Sequence, residues 1–208
     1  MTNTIKIYYV DLNKLSNEIF NDLPYLLEED YINANKYKME EDKKQHLISA
    51  YFKRKYMPDY ILNSYGKPIS NNTFVNISHS YNMVVVGISS NNEIGIDIEK
   101  IRDASDSLKK YISSEEELNY IKDDKTFYEI WTSKEAITKC YGSGLNNKIK
   151  DIPALPLNGT KEYMNSTYYS KIINFNNFII SVSIKSNKDF EYKINEEKIY
   201  WKRYLWKY

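Results

Sequence analysis

Residues 94–99 read I-G-I-D-I-E, and this short alternation constrains the fold more than any other stretch of the chain. Ile94, Ile96 and Ile98 alternate with Gly95, Asp97 and Glu99, the period of a β-strand. Successive side chains of a strand point to opposite faces, so the isoleucines share one face and the two carboxylates share the other. Gly95 has no side chain, which lets a ligand or another backbone come close on the acidic face. Neighbouring carboxylates repel unless positive charge lies between them, and a hard cation with oxygen ligands is the simplest source of it. The plainer alternative is a half-buried strand with its polar face in water.

At 208 residues the chain can build one large domain or two of about 100 residues each. Its 29 Lys and Arg nearly balance 28 Asp and Glu, so no global basic field argues for nucleic acid. The single cysteine, Cys140, cannot form an internal disulfide, which suits a reducing compartment. The N-terminus lacks the basic-then-apolar layout of a signal peptide, and no apolar run approaches about 18 residues. The expectation is a cytoplasmic protein with no membrane partner.

Residues 5–10 (IKIYYV) read as an opening strand, and the periodicity from 39 to 56 predicts one amphipathic helix. Residues 65–68 (Y-G-K-P) form a turn. Residues 74–77 and 83–90 read as strands with Ser78, His79 and Ser80 between them, and 91–93 as a hairpin connection into the acidic strand. Residues 103–107 are polar and read as a boundary or a mobile loop. Ser114 and Glu117 have capping-box spacing, and 126–141 is a stronger helix stopped by Gly142 and Gly144. Residues 168–173 and 178–184 predict a hairpin, and 190–194 a last strand. The fold class expected is α+β, with two similar α/β subdomains, 1–102 and 103–208, each a small antiparallel sheet packed with helices.

The helix at 126–141 carries W-T-S-K-E-A-I-T-K from Trp131 to Lys139. Trp131, Glu135 and Lys139 are four apart and share a face, where a Glu–Lys pair is ordinarily a surface contact contributing about 0.2–0.5 kcal/mol. The tryptophan on that face suggests cover, and a covered pair needs a reason. Asp97, Glu99 and Glu135 together can hold a magnesium ion with positions open to water and phosphate oxygens. Lys139 can neutralise a leaving phosphate, and Lys67 and His79 can grip others, an inventory suited to phosphoryl-type transfer. A histidine at a strand end also commonly caps a turn. Cys140 reads as packing rather than as a nucleophile.

The ordered set G-K-P (66–68), N-I-S-H-S (76–80), I-G-I-D-I-E-K-I (94–101), W-T-S-K-E-A-I-T-K and G-S-G-L (142–145) resembles the 4'-phosphopantetheinyl transferases, in particular their larger, surfactin-synthetase-activating class. The resemblance spans residues 66–145. It implies a monomer of two similar subdomains with coenzyme A in the cleft between them. It further implies that Asp97, Glu99 and Glu135 coordinate magnesium with the coenzyme A pyrophosphate, and that Glu135 is the general base for a carrier-protein serine. Lys139 would stabilise the departing 3',5'-ADP, while Lys67, Ser78 and His79 contact phosphates and Lys134 serves as a phosphate or structural contact. An unperturbed glutamate has a pKa near about 4.3, so Glu135 is expected to be ionised at neutral pH.

One departure concerns the N-terminal helix, where members usually carry an arginine and a glycine and this chain has Gln45, His46 and Ser49. The grip on the 3'-phosphate then falls to Lys36, Lys38, Lys43, Lys44 or His46. Two other readings use the same residues: a module that binds coenzyme A or a carrier domain without turnover, and a magnesium-dependent phosphoesterase with water as nucleophile. The segment 103–113 follows the acidic strand directly and is the expected carrier-facing surface, with Lys109 and Lys110 steering an acidic partner.

Overall fold

The computed structural model describes residues 3–64, 68–70, 73–142, 144 and 149–200. Ten strands and five α-helices are distinguished among them. The chain opens with β1 (Asn3–Asp11), passes through short 3-10 turns into α1 (Glu28–Ala34) and α2 (Glu40–Tyr56), and forms a small β2 (Ile61–Leu62) and β3 (Pro68–Ile69) pair. Then come β4 (Phe74–Ser80), β5 (Met83–Ser89) and β6 (Ile94–Lys100). Three helices follow, α3 (Asp106–Ile112), α4 (Glu115–Tyr120) and α5 (Asp124–Tyr141), before β7 (Gly159–Tyr163), β8 (Ser166–Phe175), β9 (Phe178–Ile184) and β10 (Phe190–Glu196).

Two four-stranded sheets organise these elements, ordered β10-β1-β5-β4 and β6-β9-β8-β7. Alternation along the strands sorts the apolar residues into three layers. Ile5, Ile7, Val85, Ile96, Ile98, Ile180 and Val182 meet between the sheets. Val84 and Val86 face the other way, onto Leu47, Ile48 and Phe52 of α2. Ile179 and Tyr168 face Phe127, Ile137 and Cys140 of α5. The result is helix, sheet, sheet, helix, the α+β layout with two sheets expected from the sequence.

The sheets exchange strands. β6 leaves β1, β4 and β5 and pairs antiparallel with β9, while β10 returns to pair parallel with β1. Residues 91–93 are therefore a crossing between sheets and not a hairpin, because the isoleucine face of β6 buries against the facing sheet instead of extending the one it left. Ser78, His79 and Ser80 belong to β4 itself, and the turn after them is only residues 81 and 82, with Tyr81 at φ 52°. Helix α3 and strand β7 were not expected; both are short and carry little periodic signal. The expected caps are present: Ser114 and Glu117 cap α4 reciprocally, and Gly142 at φ 88° ends α5 in the left-handed conformation that glycine tolerates best.

Helix α5 lies across the acidic face of β6. A Cβ built on Gly95 would stand 1.9 Å from the carbonyl oxygen of Ala136 and 2.4 Å from the amide nitrogen of Cys140. The close approach that a glycine permits at this position is thus taken by a helix backbone. Replacement Gly95→Ala forces helix and strand apart and is expected to cost at least about 3 kcal/mol of stability in urea denaturation. A loss under about 1 kcal/mol would contradict this packing.

Candidate active site

Because α5 packs so closely on β6, its side chains reach the β6 carboxylates directly. The helix is buried on nearly every side; within W-T-S-K-E-A-I-T-K-C only Trp131, Glu135 and Lys139 retain partial exposure. That stripe opens at Asp97, which is 3% exposed. Lys139 Nζ lies 2.6 Å from Asp97 Oδ1 and 2.9 Å from Ser78 Oγ, and Ser78 Oγ donates to the same Asp97 oxygen at 2.8 Å. Lys139 is therefore paired across elements with Asp97, not along the helix with Glu135.

Burial, then the neighbouring charge of Asp97, raises the Glu135 carboxyl to about 7, against the partial relief of Lys139. The sequence expectation of a fully ionised Glu135 at neutral pH is corrected accordingly: half of it is protonated near pH 7 in the metal-free protein. Glu99 is also raised, first by burial, with Ser80 opposing and Asp97 adding to the shift. Three carboxylates face one ammonium here, so the site is short of positive charge.

The strand β4 holds this arrangement through an unusual seam. β4 and β6 are edge strands of different sheets. The side chains of β4 take the amides that β6 turns toward it: Asn76 Oδ1 accepts from Ile96 N–H at 2.9 Å, Ser78 Oγ from Ile98 at 3.4 Å and Ser80 Oγ from Lys100 at 3.2 Å. Ser80 Oγ also donates to Glu99 Oε2 at 2.7 Å. The sequence reading assigned Ser78 to phosphate and passed over Asn76 and Ser80. The signal available was their N-x-S-x-S alternation, which puts three small polar groups on one strand face.

His79 points to the other side of β4. There it lines a hollow of about 210 Å³ with Tyr37, Asp42, Gln45, His46 and Ser49, so both histidines of the chain meet in one place. His79 stays exposed at the mouth of this hollow; desolvation by its surroundings, then the charge of Lys139, lowers its pKa, and desolvation likewise lowers that of His46. Of the basic residues considered beside them, Lys43 pairs with Glu40 and Lys44 with Asn17. Lys67 lies outside the described residues.

Lys134 departs from a cofactor-binding role. It is 0% exposed and directed away from Asp97, with Nζ 2.8 Å from Glu117 Oε2, 3.0 Å from the Ile149 carbonyl and 2.8 Å from that of Ile152. Glu117 in turn accepts from the Ala154 amide at 3.0 Å. The pair joins α4, α5 and the segment 149–154, a structural junction satisfied on all sides. Cys140 is buried and its thiol donates to the Glu93 carbonyl at 3.3 Å, consistent with packing.

The donor set suits a divalent cation in its chemistry. Asp97 Oδ2 is buried and lacks a hydrogen-bond partner among the described residues, and it sits beside two further carboxylates with raised pKa values. Hard cations prefer such oxygens. As they stand, no three His, Cys, Asp or Glu side chains among the described residues converge tightly enough to hold a metal. Lys139, not a third carboxylate, is the group in contact with Asp97.

With this geometry in place, sequence comparison supplies the family. A model of the 4'-phosphopantetheinyl transferase superfamily matches residues 93–198, just over half of the chain, and the chain belongs to that superfamily. Among similar proteins is the 4'-phosphopantetheinyl transferase gsp of Aneurinibacillus migulanus, 36% identical over 90 residues, or 40% of this chain and 38% of that protein. HetI of Nostoc sp., a 4'-phosphopantetheinyl transferase, is 38% identical over 96 residues, 39% of this chain and 40% of its own length. The 4'-phosphopantetheinyl transferase Sfp of Bacillus subtilis is 33% identical over 114 residues, 48% of this chain and 50% of its own. The matched stretch thus spans half or less of each of these relatives.

The raised Glu135 pKa has a consequence for stability. Folded Glu135 keeps its proton up to about pH 7, whereas its unperturbed value is 4.5. Its contribution is present below pH 4.5 and is lost as pH rises through 7, because between these values the folded state binds the extra proton. With a chelator present, Glu135→Gln is therefore expected to melt several degrees above the parent at pH 8, with the gap closing toward pH 4.5. A gap independent of pH would contradict the shift.

Proposed function

We propose that this protein transfers the 4'-phosphopantetheine group of coenzyme A to a serine of an apo acyl or peptidyl carrier protein, releasing 3',5'-ADP in a magnesium-dependent reaction. The observation that carries this reading is the contact of Lys139 from α5 with Asp97 of β6, with Glu135 and Glu99 near enough to feel the Asp97 charge and a buried Asp97 oxygen left without a partner among the described residues.

Asp97, Glu99 and Glu135 are the residues that would hold magnesium, which when bound offsets charge on the pyrophosphate oxygens. The chain's own residues do the rest. Glu135, partly exposed on the α5 stripe that reaches Asp97, accepts the serine proton, directly or through water. The serine oxygen forms a bond to the β-phosphorus as the bond from that phosphorus to the oxygen of 3',5'-ADP breaks. Lys139, whose ammonium lies 2.6 Å from Asp97 Oδ1, offsets the negative charge that appears on the departing nucleotide. Ser78 holds both Asp97 and Lys139, and His79 and Lys67 are the residues proposed to contact the nucleotide phosphates.

Coenzyme A is proposed to bind where the β4 edge of the first sheet meets β6 and α5 of the second, a seam that the strand exchange across residue 102 builds from both parts of the chain. A monomer in the cytoplasm fits a single cysteine that cannot make an internal disulfide; among the described residues no helix is long and apolar enough to cross a membrane. For the carrier, the surface proposed is 103–113. Lys109 is engaged there with Asp124 at 2.8 Å, which leaves Lys110 on the exposed side of α3 to steer an acidic partner.

The test is intact-mass measurement of an apo carrier protein incubated with the protein, coenzyme A and magnesium. One phosphopantetheine is expected on the carrier serine, lost or slowed at least about a hundredfold in Glu135→Gln, with Lys110→Glu raising KM for the carrier more than it lowers kcat. Coenzyme A binding without transfer to any of several carriers would favour a binding module. Cleavage of coenzyme A with the carrier unmodified would favour hydrolysis.

A further inference from the structure

Two serines of β4 are wired identically to β6. Ser78 accepts the amide of Ile98 and donates to the carboxylate of Asp97, the residue before it. Ser80 accepts the amide of Lys100 at 3.2 Å and donates to Glu99, again the residue before, at 2.7 Å. A serine hydroxyl has one proton and two acceptor positions. Once the Lys100 amide occupies the oxygen, the proton is directed to Glu99 Oε2. The partners are fixed by the side-chain seam between two strand edges rather than by a mobile loop, and Ser80 is only 8% exposed.

Glu99 needs such support. Its carboxylate is partly buried, crowded by Asp97, and the hydrogen bond from Ser80 is the largest influence favouring its charged form. The centre it faces contains the buried, unpartnered Oδ2 of Asp97. We propose that Ser80 is a positioning residue: its hydroxyl ties one oxygen of the Glu99 carboxylate to the β6 backbone, so that the other is kept for a divalent cation shared with Asp97 and Glu135 when one binds. This rests on the metal-dependent reading of the site given above. Hydrogen-bonded partners of ligating carboxylates commonly set metal affinity by about 10–100-fold.

The experiment is Mn²⁺ binding to the full chain without coenzyme A or carrier, followed by the electron paramagnetic resonance signal of free Mn²⁺. Ser80→Ala is expected to bind about tenfold more weakly, Ser80→Thr within about threefold of the parent because it keeps the hydroxyl, and Ser80→Ala added to Glu99→Gln to cause no further loss. A merely structural serine would lower the thermal midpoint and leave Mn²⁺ affinity unchanged. Should Ser80→Ala fail to fold, Ser80→Cys, of similar volume and a weaker donor, is read by the same criterion. Parent-like affinity in the serine variant with weakened binding in Glu99→Gln overturns the positioning role alone. Parent-like or absent binding in all of them overturns the metal reading and this proposal with it.

Discussion

The site depends first on the contact between two backbones. Helix α5 rests on β6 where Gly95 offers no side chain, and a single methyl group there would collide with Ala136 and Cys140. That proximity brings Lys139 within 2.6 Å of Asp97 and sets Glu135 where the charges of Asp97 and Glu99 reach it. With a larger residue at 95, the helix would be lifted off and Glu135 and Lys139 carried out of range of the β6 carboxylates. The glycine is thus a condition of the electrostatics as well as of the packing.

A second constraint acts from the opposite side of β6. Exposed strand edges leave backbone groups unpaired, and buried ones must find partners. The edge amides of β6 find theirs in side chains: Asn76, Ser78 and Ser80 replace the carbonyls of a neighbouring strand. Because these are side chains, their remaining hydrogen-bond capacity is available, and it goes to the carboxylates. One seam therefore both joins the two sheets and orients the acidic residues. The buried Glu117–Lys134 pair does comparable work behind α5, anchoring the helix against the segment 149–154. Its partial desolvation cost is met by carbonyl and amide contacts on both members.

Much of this was legible in the sequence because it depends on local period. The alternation at 94–99 gives the strand and its acidic face, and the spacing of Trp131, Glu135 and Lys139 puts them on one face of α5, although the cover read from the tryptophan is only partial. What was not legible depends on which strands pair. Nothing in residues 91–93 distinguishes a hairpin from a crossing, so the passage of β6 into the second sheet could be found only from the assembled fold. The same holds for Ser78, whose role as a link between Asp97 and Lys139 follows from β4 lying beside β6. Lys134 is a related case: next to Glu135 in sequence, it is turned about 100° around the helix axis and so reaches a different neighbourhood. The Glu135 pKa is also a tertiary property, set by burial and by carboxylates distant in the chain.

The most direct test of the central claim, that β6 and α5 together form one metal- and phosphate-binding centre, is an anomalous difference map from crystals grown with Mn²⁺ and coenzyme A. A single strong peak is expected within about 2.2 Å of Asp97 Oδ2, sharing its coordination with oxygens of Glu99, Glu135 and the pyrophosphate. A peak elsewhere, or bound coenzyme A with no metal at these carboxylates, would contradict it.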